Sequence, residues 1–82
     1  MPQSLTYPDL VGGFLRERFG LLRGAPKLLA RLGRTSPRTA ENWLRDKCAP
    51  SGEHLLSLMA ECDELADIIL AEVERRREAQ RA

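Results

Sequence analysis

The side chains that could catalyse a reaction or hold a metal ion are few and widely spaced. The chain has two cysteines, Cys48 and Cys62, and one histidine, His54. There is no Cys-x-x-Cys pair, so the spacing does not match a zinc site, and two reduced thiols are expected. No nucleophile stands at catalytic spacing from His54 and a carboxylate, and His54 is expected on the surface at a polar helix start. The sequence therefore predicts no catalytic residues, no metal site and no cofactor, and it indicates a protein that is not an enzyme.

A second group of side chains is suited to reading the edges of DNA bases. Arg38 can make two hydrogen bonds to guanine, and Asn42 can make two to adenine. Their four-residue spacing places them on one face of a helix. Glu41 lies on nearly the same face and can accept from cytosine or orient Arg38 or Arg45. The alternative for each residue is a solvated surface side chain.

Charge is divided unevenly along the chain. Residues 1–47 hold nine Lys/Arg against four Asp/Glu, whereas residues 48–82 hold four against eight, so the two parts carry +5 and −4. This division favours a polyanion as the partner of the basic part, because phosphate neutralisation supplies most nonspecific nucleic-acid affinity. Uneven charge is also common on helical surfaces, so both interpretations stay open.

Length and composition predict one small folded domain. Of 82 residues, 43% are hydrophobic and 30% are charged, which is typical of a water-soluble globular protein. No run approaches the roughly 18 apolar residues of a membrane span, and the first residues lack the pattern of a leader peptide. We therefore expect a cytoplasmic protein with neither a membrane partner nor a small-molecule substrate. Strand patterns are absent, which predicts an all-α compact bundle of about five short helices.

Capping signals and apolar spacing predict where these helices lie. The clearest start is Ser36 as the N-cap followed by Pro37 in the first turn. The sequence predicts a helix-turn-helix domain over residues 1–62, followed by a C-terminal helix over residues 63–82 that serves packing or oligomerisation. The first predicted helix begins near Tyr7 with Asp9 as its cap, and the second and third span residues 26–32 and 36–46. The fourth begins at Ser51 as its cap, and the fifth spans residue 63 to about residue 77 after a break near Cys62.

The second and third helices, joined by a turn at 33–35, have the pattern of a helix-turn-helix. In this motif the second helix can enter the DNA major groove and present its leading residues to base edges. The small residues Ala30 and Ala40 allow the two helices to approach closely. Trp43 falls on the apolar face and is expected to lock the third helix to the core, not to stack on a base.

The segments LLARLGRTSPRTAENWL (28–44), APS (49–51) and LLSL (55–58) resemble the Xre or lambda-repressor-like helix-turn-helix family. The resemblance covers about residues 25–60 and is most specific in the third helix with its tryptophan. Two positions depart from the family pattern: Arg34 stands where a turn glycine is usual, and Leu44 where many members carry glutamate. The resemblance implies a transcriptional regulator that binds double-stranded DNA, with repression expected over activation.

This resemblance assigns DNA-facing roles around the start of the second helix and along the third. Lys27 and the basic or hydroxyl side chains near the turn are expected to contact phosphates, which set register without reading sequence. The complete predicted DNA-binding set is Lys27, Arg31, Arg34, Thr35, Ser36, Pro37, Arg38, Thr39, Glu41, Asn42, Arg45 and Lys47.

A homodimer is also expected, because one helix-turn-helix unit buries little surface and two units can read half-sites one DNA turn apart. The apolar stripe Leu65, Ile68, Ile69 and Val73 is the predicted oligomerisation surface, although it can equally pack on the first helix. The alternative function is a protein-binding adaptor or antitoxin-like module with the same helical fold, whose acidic part binds a basic partner.

Overall fold

All regular secondary structure over residues 6–81, the range that the computed structural model describes, is α-helical. The prediction of an all-α bundle of about five helices is therefore confirmed. Residues 1–5, on which the leader-peptide argument depends, and residue 82 lie outside the described residues. Within 6–81 no helix is both long and apolar enough to cross a membrane. The helices are α1 (Tyr7–Phe19), α2 (Ala25–Gly33), α3 (Pro37–Leu44), α4 (Glu53–Glu61) and α5 (Asp63–Arg81).

Side-chain caps set the starts of α1 and α3. Thr6, and not Asp9 as predicted, caps α1: its Oγ1 accepts a hydrogen bond from the Asp9 backbone N–H at 3.3 Å. Ser36 caps α3 as predicted, and its Oγ accepts from the Thr39 N–H at 3.2 Å. A cap of this kind satisfies one of the free N–H groups of a first turn.

Both α2 and α3 end at a left-handed residue that is not glycine. Arg34 has φ of 57° and Asp46 has φ of 61°. After each of them, the next N–H donates to the carbonyl five residues earlier, at 2.9 Å and 3.0 Å respectively. This Schellman arrangement satisfies the last carbonyls of the helix. It ends α3 at Leu44, two residues before the predicted end.

The boundaries of α4 and α5 depart from the predicted ones in two places. Gly52 precedes α4 and no side chain caps that helix, so the predicted role of Ser51 is wrong. Cys62 is extended, with φ of −133° and ψ of 97°, and makes the predicted break before α5. α5 then continues to Arg81 instead of ending near residue 77.

Apolar side chains from all five helices form the core. α2 packs most extensively against α3 and then against α4, while α1 contacts α3 and α5. α1 and α5 run antiparallel, since Arg18 near the end of α1 pairs with Glu64 near the start of α5 at 2.6 Å. The buried apolar residues are Val11, Leu15, Phe19, Ala25, Leu29, Ala30, Ala40, Trp43, Leu58 and Leu65.

The predicted oligomerisation stripe lies largely within the chain. Leu65 is fully buried in the core, so its assignment to an interface between chains is wrong. Ile68 and Ile69 are half-buried against the same core. Only Val73 of the stripe is exposed. The stripe therefore packs mainly on the rest of the chain, the alternative that the sequence left open.

Candidate nucleic-acid interface

The two helices of the helix-turn-helix meet at a junction of small residues and one tryptophan. Ala30 and Ala40 are buried between them, as the predicted close packing requires. A Cβ built on Gly33 would lie 2.9 Å from Cη2 of Trp43, so only glycine fits there without a shift of the ring. Trp43 is 2% exposed, which confirms its predicted role in the core. The position of α3 on α2 therefore depends on this junction.

His54 supports the junction from α4, and its predicted surface position is wrong. Its Nδ1 lies 2.9 Å from the Gly33 carbonyl oxygen, to which a protonated Nδ1 donates a hydrogen bond. Its ring lies against Trp43, with centroids 5.9 Å apart and planes tilted by 56°. The contact satisfies a carbonyl at the end of α2 and ties α4 to the turn.

The outer face of α3 is uncovered. Ser36, Pro37 and Arg38 at its leading end are exposed, and Thr39 and Asn42 are half-exposed. The first turn contains no acidic residue. The Ser36 and Thr39 hydroxyls lie 3.1 Å apart and bond to each other. Because these two hydroxyls are already engaged, Arg38 and Asn42 are better placed for contacts to a partner.

Two carboxylates near α3 are each paired with an arginine. Glu41 lies 3.9 Å from Arg45 one turn later, so of the two arginines that it was predicted to orient, Arg45 is the one it contacts. Asp46 pairs with Arg16 of α1 at 3.3 Å. Partly exposed pairs of this kind add little stability. Both carboxylates nevertheless lie after the leading turn of α3, which contains no acidic residue.

Comparisons with protein-family models, curated proteins and solved structures found no match. The candidate interface is therefore defined by the geometry and charge of α2 and α3. Between residues 27 and 47 the chain carries six Lys/Arg against two Asp/Glu, a net charge of +4. A basic surface around an exposed helix is the electrostatic signature of nucleic-acid binding.

None of the twelve predicted DNA-binding residues is buried. One basic residue escaped the sequence pattern: Arg23 is exposed beside Gly24, which precedes α2. Arg23 lies in an irregular loop, so helical spacing does not select it. Its position just before the start of α2 is the one feature of the sequence that could have indicated it. The structure leaves Lys27, Arg31, Arg34, Ser36, Pro37, Arg38, Arg45 and Lys47 exposed, and Thr35, Thr39, Glu41 and Asn42 half-exposed.

A second surface feature is an open groove of about 600 Å³ between α1 and α5. Its floor is apolar, and three carboxylates stand along it against one arginine, Arg18, which is itself paired with Glu64. Its charge is thus opposite to that of the surface around α3. The groove is lined by Asp9, Leu10, Gly13, Phe14, Glu17, Arg18, Glu64 and Ile68.

Proposed function

We propose that this chain is a transcriptional regulator that binds specific sequences of double-stranded DNA, of the Xre or lambda-repressor-like kind, and reads the major groove with α3. The observation that carries the proposal is the difference between the two sides of α3. Its inner side is held by Trp43 against Gly33, and its outer side is exposed with Arg38 in the leading turn. Docking in a major groove needs a helix that is rigidly held on one side and accessible on the other.

The proposal divides the side chains between base contacts and phosphate contacts. Arg38 pairs with guanine and Asn42 with adenine, since these side chains match the two bases in bidentate geometry. Lys27, Arg31 and Lys47 contact phosphates and set the register of α3 on the duplex. Repression is the simpler outcome, because occupying a site is enough to exclude another protein from it. The proposal includes a cytoplasmic location.

The test begins with selection of bound duplexes from a random DNA library, followed by fluorescence anisotropy over a salt series. Arg38→Ala should lose preference at one base pair, at a cost of about 1–3 kcal/mol. Lys27→Ala should weaken binding to all sequences alike and reduce the salt slope by about 1. Arg18→Ala is the matched control, since it removes an exposed positive charge on α1 and should leave affinity unchanged.

Two results would contradict the proposal. If Arg38→Ala kept both the affinity and the base preference of the wild type, α3 would not be the reading helix. If the wild-type chain bound no duplex even at low salt, the DNA-binding function itself would be wrong.

The second candidate function is a protein-binding adaptor, and the groove between α1 and α5 is the observation that favours it. An apolar floor beside carboxylates such as Asp9 and Glu17 suits a basic amphipathic segment of another protein. Glu17→Lys should then abolish capture of that protein while leaving DNA binding intact. A base preference that is lost in Arg38→Ala and retained in Glu17→Lys would favour the regulator.

A further inference from the structure

Two rows of α1 residues line the groove between α1 and α5, and each row follows the groove because positions four residues apart lie on the same helix face. The first row is a carboxylate, a glycine and a second carboxylate. The second row is two half-buried apolar side chains followed by an arginine. The rows are Asp9, Gly13 and Glu17, and Leu10, Phe14 and Arg18. The apolar floor therefore lies beside two carboxylates that are separated by a residue without a side chain.

The positive charge in the groove is already neutralised, whereas most of the negative charge is not. Arg18 pairs with Glu64 of α5 at 2.6 Å. Within residues 6–81, neither Asp9 nor Glu17 has an ion-pair partner, and both side chains are exposed. The groove therefore keeps an uncompensated charge of −2, which favours a cationic ligand.

The dimensions of the groove suit a small ligand. Its volume of about 600 Å³ lies within the range of about 300–1,000 Å³ that is usual for small-molecule sites. Arg18 is the last lining residue of α1 and Glu64 the first of α5, so their ion pair bridges the two helices and closes one end of the groove. A peptide chain that ran through the groove would have to break this pair. A short ligand fits without doing so.

The two unpaired carboxylates are separated by about two helical turns. Asp9 and Glu17 are eight residues apart in α1, which is about 12 Å along the helix axis. Gly13 lies midway between them, and a Cβ at this position would meet no atom within 4 Å, so the space between the carboxylates is open. Leu10 and Phe14 occupy the neighbouring row. A ligand with a cationic group at each end and an apolar chain between them matches these features.

We propose that this groove is a binding site for an aliphatic diamine, a molecule with an ammonium group at each end of an unbranched methylene chain. One ammonium group binds Asp9 and the other binds Glu17, while the methylene chain crosses Gly13 and packs on the apolar floor. The site contains no residue of α2 or α3, so it goes beyond the proposed function and needs no DNA to be occupied. On this assignment the groove takes a small molecule and not the protein segment of the adaptor function.

Titration of the wild-type chain with terminal diamines, followed by its amide NMR signals in the absence of DNA, tests the site. Diaminooctane should shift the signals of Gly13 and Phe14 and saturate with a dissociation constant of about 1 mM or lower. Each methylene added from diaminobutane upward should lower the dissociation constant, by at most about fourfold, until the chain spans the two carboxylates. Octanediol has the same chain without the charges and should bind about four- to twentyfold more weakly.

Substitutions in α1 separate the contributions of charge and shape. Asp9→Asn and Glu17→Gln should each raise the dissociation constant of diaminooctane by about two- to fivefold, because each removes one exposed ion pair. Gly13→Leu keeps both carboxylates but fills the space between them, so saturable binding should disappear. Glu78→Gln is the matched control, since it removes an exposed carboxylate of α5 outside the groove and should leave the affinity unchanged. Circular dichroism establishes that each variant keeps its helices.

Four results would overturn the assignment. The first is a wild-type chain whose signals do not saturate with any diamine up to about 10 mM. The second is equal affinity for octanediol and diaminooctane, and the third is wild-type affinity in Gly13→Leu, which would indicate attraction by charge alone. The fourth is a lysine-rich amphipathic peptide that saturates the groove where no diamine does, which would assign the groove to the adaptor. Because no DNA is present, these results leave the proposed regulator standing, and a failure to bind DNA would leave the diamine site standing.

Discussion

Replacing Gly33 with alanine tests the junction that holds α3 on α2. The added Cβ would lie 2.9 Å from Cη2 and 3.0 Å from Cζ3 of Trp43. Both distances are well inside the roughly 3.5–4.0 Å of ordinary carbon–carbon contact. The ring cannot move aside as a flexible side-chain end would, because it is buried and lies against His54. Either α3 or the ring must shift.

The expected cost follows from two opposing terms. Overpacking a well-filled core costs about 1–3 kcal/mol. Alanine in a helix is favoured over glycine by about 0.5–1 kcal/mol. Gly33→Ala should therefore destabilise the chain by about 1–2 kcal/mol, which lowers the Tm of a domain of this size by roughly 4–15 °C. The change should also weaken DNA binding, since α3 would leave its position on α2.

Gly13→Ala is the matched control, because a Cβ at this helical position of α1 would meet no atom within 4 Å. This variant should be more stable than the wild type by about 0.5–1 kcal/mol. Urea unfolding measured by circular dichroism and by the fluorescence of Trp43, the sole tryptophan, gives both free energies of unfolding. If Gly33→Ala proved as stable as Gly13→Ala, the close packing at the junction would be wrong.

Two further predictions concern backbone strain and pH. Arg34→Gly should raise the free energy of unfolding by about 0.5–1 kcal/mol, because φ of 57° is strained for arginine, yet should weaken binding to all DNA sequences. Thermal unfolding would check the stability and fluorescence anisotropy the DNA binding. A loss of stability would contradict the first expectation. The Tyr7 hydroxyl donates to the Pro50 carbonyl, and burial raises the pKa of this phenol. The folded chain therefore holds the proton more tightly than the unfolded chain, so this stability is intact below about pH 10 and falls as pH rises through the folded pKa. Thermal unfolding between roughly pH 9 and 11 should show a steeper fall in the wild type than in Tyr7→Phe; equal slopes would exclude this contribution.

Features that depend on neighbouring residues could be predicted from the sequence. Ser36 followed by Pro37 specifies the start of α3 because a cap involves atoms only three residues apart. The packing of Trp43 followed from its place on the apolar side of the same helix. The accessibility of Arg38 and Asn42 followed as well, since a helix buried on one side leaves the opposite side to solvent.

Features that depend on distant residues could not be predicted in this way. His54 was assigned to the surface because its partner, the Gly33 carbonyl, lies 21 residues earlier in the chain. Leu65 was assigned to an interface because periodicity defines the apolar stripe of α5 but not the element that covers it. The extended Cys62 turns α5 so that Leu65 joins the core and Leu70 faces outward. Arg34 and Asp46 end their helices without the glycine that marks this geometry in a sequence.

The separation of charge between helices also affects how the molecule meets a polyanion. Basic side chains are concentrated on α2, α3 and the turn between them, whereas every charged residue in the first two turns of α5 is acidic. In the field of a duplex this distribution produces a torque that rotates the molecule before any contact forms. On the proposed function, encounters should begin with α3 leading, and collisions in the reverse orientation should be repelled. Added salt should therefore slow association, with a smaller effect on the lifetime of the docked complex.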